Sequence, residues 1–196
     1  VDTIYCEDTR TSRVLLQKYD INTRTKSYHA HSGTGRDSEV VAELLSGKSL
    51  ALVSDAGTPC ISDPGVRLVS SVRESAPEVR VESVPGPAAL TTFLSIAGVY
   101  SDSYTFYGFM PHKKGRHTMI KTMMESEGAS IFYESTHRIE KFLQEWVESG
   151  SVRRIVIGRE LTKKFEEVLS GSASEILEQM QHDPNKSRGE FVVMVV

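Results

Sequence analysis

The sequence predicts an α/β fold. Three observations carry this. Short apolar runs of strand length alternate with helical patterns over the first half. The run "LALV" at Leu50–Val53 is continuously apolar, as in a strand buried on both faces. Turn-rich loops follow the strands directly, above all "SDAGTPCISDPG" at 54–65. Such alternation argues for a parallel sheet with helices on its faces, and for ligands beyond the carboxyl ends of the strands.

In order, Thr3–Cys6 reads as a strand ending in "EDTR", and Ser12–Tyr19 as a helix with Val14, Leu15 and Leu16 apolar. Lys26–His29 is a second strand. Ser38–Ser46 sets Val40, Val41, Leu44 and Leu45 on one helical face, with Gly47 as a stop. After Leu50–Val53, Asp63 suits an N-cap and Pro64 the first helical position, with Val66, Val69 and Val72 inward. Val79–Val84 is a further strand, and "PGP" at 85–87 leads into an apolar helix, Ala88–Ala97. A domain boundary is expected near 99–104, giving domains 1–101 and 102–196.

In the second half, Thr105–Phe109, Ser130–Glu134, Arg154–Gly158, Glu166–Ser170 and Phe191–Val196 read as strands, with "MPHKKGRH" as a basic loop. Ser174–Gln181 reads as a helix. The strongest helix is His137–Glu148, with Ile139, Phe142, Leu143, Trp146 and Val147 on one face.

Net charge is −3, so the whole molecule is no electrostatic binder of nucleic acid, although a local basic patch can be one. Cys6 and Cys60 lie far apart and no signal segment is visible, which suits a reducing cytoplasm. No run reaches the ~18 apolar residues needed to span a bilayer. Neither GxGxxG nor GxxxxGK[ST] occurs, and the histidines are scattered without ligand spacing, so no dinucleotide, P-loop or metal site is expected.

Candidate site residues cluster at the expected sheet edge. In "SDAGTP", Gly57 lets a ligand approach the backbone and the following helix start offers amides; a plain βα connection is the alternative. Glu7 and Asp8 either orient a base or, in Asp8's case, cap the next helix while Arg10 pairs with a carboxylate. His29 and His31 alternate along an extended segment and are either general bases or surface groups. Lys113, Lys114, Arg116 and Lys121 make either a phosphate-contacting patch or a solvated linker. Glu134 and Glu160 end strands, as salt-bridged groups or as site residues.

The blocks "EDTRTSRVLL", "ALVSDAGTPCISDPG", "VPGPAAL", "YGFMPHKKGR", "IFYESTHRI" and "GRELTKKFEE" together resemble the 16S ribosomal RNA 2′-O-ribose methyltransferase I family, within the tetrapyrrole methylase superfamily. The resemblance runs from Cys6 to about Val196. It implies two α/β domains of the tetrapyrrole methylase type, the first a mostly parallel sheet with helices on both faces, the second a mixed sheet with helices. It implies S-adenosylmethionine in the cleft between them, contacted by Ser54, Asp55, Ala56, Gly57, Ala88, Ala89, Tyr133, Glu134, Glu160 and Leu161. It also implies a homodimer and, as substrate, a cytidine ribose of small-subunit ribosomal RNA, as free RNA or in the 30S particle, with Arg10, Lys113, Lys114 and Arg116 facing it. Deprotonating a ribose hydroxyl needs a base, and Asp8 and His29 rank first for that role.

Two departures accompany the resemblance. The family opens with a strand and a "TPIGN"-like loop, whereas this chain opens with "VDTIYCEDTR" and no Met; a chain without that strand is expected to bind the cofactor weakly or not at all. Ser32 stands in "HAHSGTG" where relatives usually carry Asn. The competing readings are a corrin or porphyrin C-methyltransferase on the same scaffold and a non-catalytic RNA-binding relative.

Overall fold

The computed structural model describes residues 1–196. It divides into two compact units, Val1–Ala88 and Ala89–Val196.

The first unit is built from β1 (Thr3–Cys6), α1 (Thr9–Lys18), β2 (Arg24–Ser27), α2 (Thr34–Leu45), β3 (Leu50–Val53) and α3 (Val66–Ser75). Its sheet has the order β2-β1-β3, and both pairings are parallel. All three carboxyl ends therefore lie along one edge. Tyr5 and Tyr28 pack with Val40 and Val41 of α2 and Leu68, Val72 and Ala76 in and after α3.

Helix α1 starts earlier than expected, and α3 turns a face other than the one expected. Ser12 is the buried residue of α1, while Val14 and Leu15 are 72% and 59% exposed. Asp8 sets this phase by capping the helix at Thr9, earlier than the apolar run suggests. In α3 the N-cap is Gly65, not Asp63, so Val66 hangs in the open first turn and Leu68 with Val72 faces inward. Residues 79–84 form no strand; Val81 and Val84 are exposed, because no neighbouring strand flanks them.

Sheet and α2 are joined by charge. Lys26 on β2 bonds Glu39 at 2.6 Å and also Glu43, which accepts from Tyr5 Oη at 3.2 Å. The hydrogen bond from Lys26, foremost, holds the Glu43 carboxyl at about 2. A depressed carboxylate pKa stabilises the fold above the unfolded value, here near 4.5, and that contribution disappears as pH falls toward 2. Glu43→Gln should accordingly flatten the fall of the thermal midpoint across that window. An acid limb as steep as the wild type's would place the sensitivity elsewhere.

The second unit contains α4 (Ala89–Ile96), β4 (Tyr104–Phe109), α5 (Arg116–Glu125), β5 (Ala129–Ser135), α6 (Ile139–Glu148), β6 (Ile155–Arg159), β7 (Glu167–Gly171), α7 (Ala173–His182) and β8 (Glu190–Val195). The sheet order is β4-β5-β8-β6-β7, with β4 and β5 parallel and the other pairs antiparallel. One face carries Phe132, Phe142, Leu143, Trp146, Ile176 and Met180 among others. On the other, Phe93 and Ala97 of α4 pack with Ile131, Val156, Val192 and Met194, which places α4 in this unit. Helix α5 begins at the end of the segment read as a basic loop and runs on over residues for which the sequence suggested no element. It buries Ile120 and Met123, with Met119 and Met124 partly buried against the same core. Ser172 and Glu175 close a capping box at the start of α7. No helix is long and apolar enough to cross a membrane.

Candidate active site

The parallel pairing of β1, β2 and β3 delivers three loops to one edge of the first sheet. The loops after β1 and β3 are stitched together: Asp8 N donates to Asp55 Oδ1 at 3.1 Å, Asp55 N donates to Glu7 Oε2 at 3.3 Å, and Glu7 N bonds Val53 O. Ser54 Oγ folds back on the carbonyls of Ala56 and Gly57, at 3.3 and 3.1 Å. Thr58 Oγ1 donates to Pro87 O at 3.1 Å, which ties the Ser54–Thr58 loop to the "PGP" segment.

Gly57 has φ +73°, and a Cβ there would approach Pro87 O to 3.4 Å. Asp55, Ala56 and Gly57 remain exposed, so their backbone is open to a ligand. Further along, Cys60 and Ser62 hold positive φ values of 72° and 68° without being glycine. Gly65, at φ +134°, admits the Cys60 Sγ and Leu52 side chain that a Cβ would meet at 2.6 and 2.7 Å. Strained backbone gathered in one loop is a feature of binding segments.

Asp8 is the N-cap of α1. Its Oδ1 accepts the Arg10 amide at 2.8 Å, and the Arg10 guanidinium forks onto both oxygens, reaching Oδ2 at 2.6 Å. These bonds hold its carboxyl at about 2. So weak a proton acceptor is unsuited to the general-base role expected of it. Arg10, expected to face RNA, spends its charge on the same pair.

His29 and His31 are exposed beyond β2, their ring centroids 6.2 Å apart. Ser32 Oγ accepts from His29 N at 3.0 Å, and His31 N donates to His29 Nδ1 at 3.2 Å. An Nδ1 that accepts a hydrogen bond places the neutral ring's proton on Nε2. His29 is then a donor at its outer nitrogen, again contrary to expectation. Behind this loop, buried Asp37 takes Tyr28 Oη at 2.7 Å and Arg67 Nε at 2.6 Å, while Arg67 also bonds Ser32 O. Neither Asp37 nor Arg67 stood out in the sequence; each occupies an ordinary helical position.

In the second unit, Tyr133 Oη accepts the Leu90 amide at 3.2 Å and so satisfies a donor at the start of α4, next to Ala88 and Ala89. Glu160 has φ 48° and Thr162 φ 64°. The Glu160 carboxylate accepts from Glu190 N and Lys163 Nζ, at 2.9 and 3.0 Å, and lies against Gly189. Leu161 packs beside Phe93 and Gly158 in the core. Both side chains, expected at a cofactor, are occupied within the unit; what they can still offer is main chain.

Glu134 and Arg116 also depart from expectation. The resemblance implies cofactor and RNA contacts for them, yet their side chains are 0% and 3% exposed and pair with each other at 3.1 Å. A carboxylate and a guanidinium brought together out of water pair with one another before any ligand arrives, here with Arg116 Nη2 left unpartnered. Lys113 and Lys114, by contrast, are exposed.

A model of the Tetrapyrrole (Corrin/Porphyrin) Methylases matches residues 1–177. The chain belongs to the tetrapyrrole methylase family. Within it, the chain falls in the branch of ribosomal RNA small subunit methyltransferase I. It is 43% identical to that protein from Vibrio cholerae and 42% identical to that from Escherichia coli O157:H7, across its whole length and 68% of each relative. Solved tetrapyrrole methylases share the fold. A cobalt precorrin-4 methyltransferase superposes with TM-score 0.66 at 12% identity, over 98% of this chain and 83% of that one. A uroporphyrin-III C-methyltransferase from Thermus thermophilus, complexed with S-adenyl homocysteine, gives 0.58 at 11%, over 98% and 84%.

Proposed function

We propose that the protein transfers a methyl group from S-adenosylmethionine to the ribose 2′-hydroxyl of a cytidine in small-subunit ribosomal RNA. The observation that carries this reading is the identity, above 40% from end to end of the chain, with methyltransferases named for that RNA. The family and the solved neighbour with S-adenyl homocysteine support the methyl donor.

The donor supplies an electrophilic methyl carbon bound to a sulfonium. The exposed backbone at Asp55–Gly57 is suited to holding it, because Thr58 and Ser54 already fix that loop. Ser54, Ala88, Ala89 and the main chain at Tyr133, Glu160 and Leu161 complete the proposed contacts. Holding the hydroxyl oxygen close to the methyl carbon and in line with the departing sulfur supplies most of the acceleration, about 7–11 kcal/mol in well-oriented systems.

The histidine pair supplies the proton chemistry. His29, carrying its proton on Nε2, orients the ribose as a hydrogen-bond donor. His31, exposed beside it, takes the hydroxyl proton. His31→Ala should lower the single-turnover rate by about 100-fold or more, the usual span for a lost general base, whereas Asp8→Asn should change it less than about tenfold. The reverse order would return the role to Asp8.

The reading as a whole is tested with methyl-labelled donor offered alongside 30S particles, free small-subunit RNA and a porphyrinogen. Label recovered as 2′-O-methylcytidine after nuclease digestion is the expected result. Label on a base or in the tetrapyrrole would overturn the substrate. No transfer, with RNA still bound, would leave a non-catalytic RNA-binding protein.

A further inference from the structure

Glu134 anchors a buried charge network at the end of β5, in which Arg116 Nη2 alone is left without a hydrogen-bond partner. Its Oε2 accepts from Arg116 Nη1 at 3.1 Å, and its Oε1 from Arg138 Nη2 and Ser135 N, both at 2.8 Å. Each arginine carries a second bond onward. Arg116 Nη1 reaches Pro111 O at 3.2 Å, and Arg138 Nη1 reaches Met110 O at 2.9 Å. Arg116 Nε is held by Glu145 at 2.6 Å, and its amide bonds Lys113 O at 3.2 Å. Met110 N in turn donates to Tyr133 O.

Four of these bonds, at Met110 N, Met110 O, Pro111 O and Lys113 O, tie down the segment that enters or leaves Pro111–Gly115. Entry is fixed at the carbonyls of Met110 and Pro111, and exit at Arg116, where Gly115 at φ 87° opens α5. Between the two ends, His112, Lys113 and Lys114 are exposed.

A buried ion pair is a poor source of stability, since well-packed apolar residues serve as well. What planar guanidinium forks do provide is direction, because they fix the acceptors they bind. A basic loop held rigid loses less freedom when it meets a polyanion.

We propose that Glu134, Arg116 and Arg138 are positioning residues: a buried clamp that presents Lys113 and Lys114 to the phosphate backbone of the RNA. This rests on the RNA reading given above.

Two measurements on the protein test it, trypsin cleavage and the salt dependence of binding to transcribed small-subunit ribosomal RNA. In the wild type, cleavage after Lys113 and Lys114 should be no faster than global unfolding. In Arg138→Gln, which leaves the Arg116–Glu134 pair in place, cleavage there should rise about tenfold or more. RNA affinity should fall about tenfold, and the slope of log affinity against log salt should become shallower. The double variant Lys113→Gln/Lys114→Gln sets the scale, since each lost phosphate contact removes about 0.7–0.9 from that slope.

A purely structural role would lower the thermal midpoint of Arg138→Gln and leave the slope unchanged; that result overturns the proposal. So does a loop no more cleavable than the wild type's. Should Arg138→Gln not fold, Arg138→Lys, which keeps the charge but loses the fork, should show the same changes at smaller size. Should neither fold, rapid native-state cleavage of the wild type at Lys113 or Lys114 overturns the clamp, and slow cleavage supports it. A wild type that binds no RNA fails the functional reading, while the trypsin result still decides whether the loop is held.

Discussion

Glu134→Ala should destabilise the second unit by about 3–5 kcal/mol, the cost of removing one member of a buried charge network. The carboxylate is 0% exposed and sits between Arg116 and Arg138, whose side chains are 3% and 15% exposed. Without it, two guanidinium charges face each other with Glu145 alone to offset them. Trp146 is the single tryptophan and lies in the adjoining core, so urea unfolding followed by its fluorescence reports on this unit alone. Glu148→Ala, on the exposed face of α6, is the control and should stay within about 0.5 kcal/mol of the wild type. A Glu134→Ala midpoint equal to that of the control would mean that water already screens the pair.

Trp146→Ala should be as severe, about 3–5 kcal/mol, because a fully buried aromatic leaves a cavity that its neighbours fill only in part. Phe142 lies 5.6 Å away between ring centroids, and the cluster extends to β5, β6 and β8. The indole has a second property: Nε1 is buried with no hydrogen-bond partner. An unmet buried donor costs about 1–3 kcal/mol. Trp146→Phe removes that donor as well as part of the ring, and should therefore cost less than half as much as Trp146→Ala. Far-UV circular dichroism in urea compares the two. Equal losses would show that the indole N–H does have a partner.

Periodicity was decisive where one face is apolar and long. Helix α6 stands almost where its stripe of Ile139, Phe142, Leu143 and Trp146 places it, and "LALV" is a strand, though at the edge of the first sheet and half-buried rather than buried on both faces. It failed where the pattern was ambiguous. "VRVESV" alternates like a strand, but alternation describes only one half of a ladder, and no partner lies beside residues 79–84. Helix α5 was missed although Met119, Ile120, Met123 and Met124 form a short apolar stripe, because charged residues crowd its start.

The candidate site was legible as a set of loops, since parallel order brings "EDTR", "HAHS" and "SDAGTP" to one edge whatever their side chains do. Individual roles were not. Whether a carboxylate is free or already paired depends on partners distant in sequence: Glu134 meets Arg116 across eighteen positions, and Asp37 meets Arg67 across thirty. Asp8 is the exception: of the two readings its sequence offers, the helix cap with Arg10 on a carboxylate is the one observed.

The strand β8 lies at the centre of the second sheet, between β5 and β6, although it is the last of the eight to be synthesised. The first sheet has all its strands once Val53 has been made. The second holds only two separate strand pairs, β4 with β5 and β6 with β7, until Glu190–Val195 emerges to join them. On the ribosome the first unit can therefore complete its sheet early, while the second waits with open strand edges and an exposed apolar face. In that interval the unpaired strand edges and exposed apolar face are the part of the chain most open to aggregation.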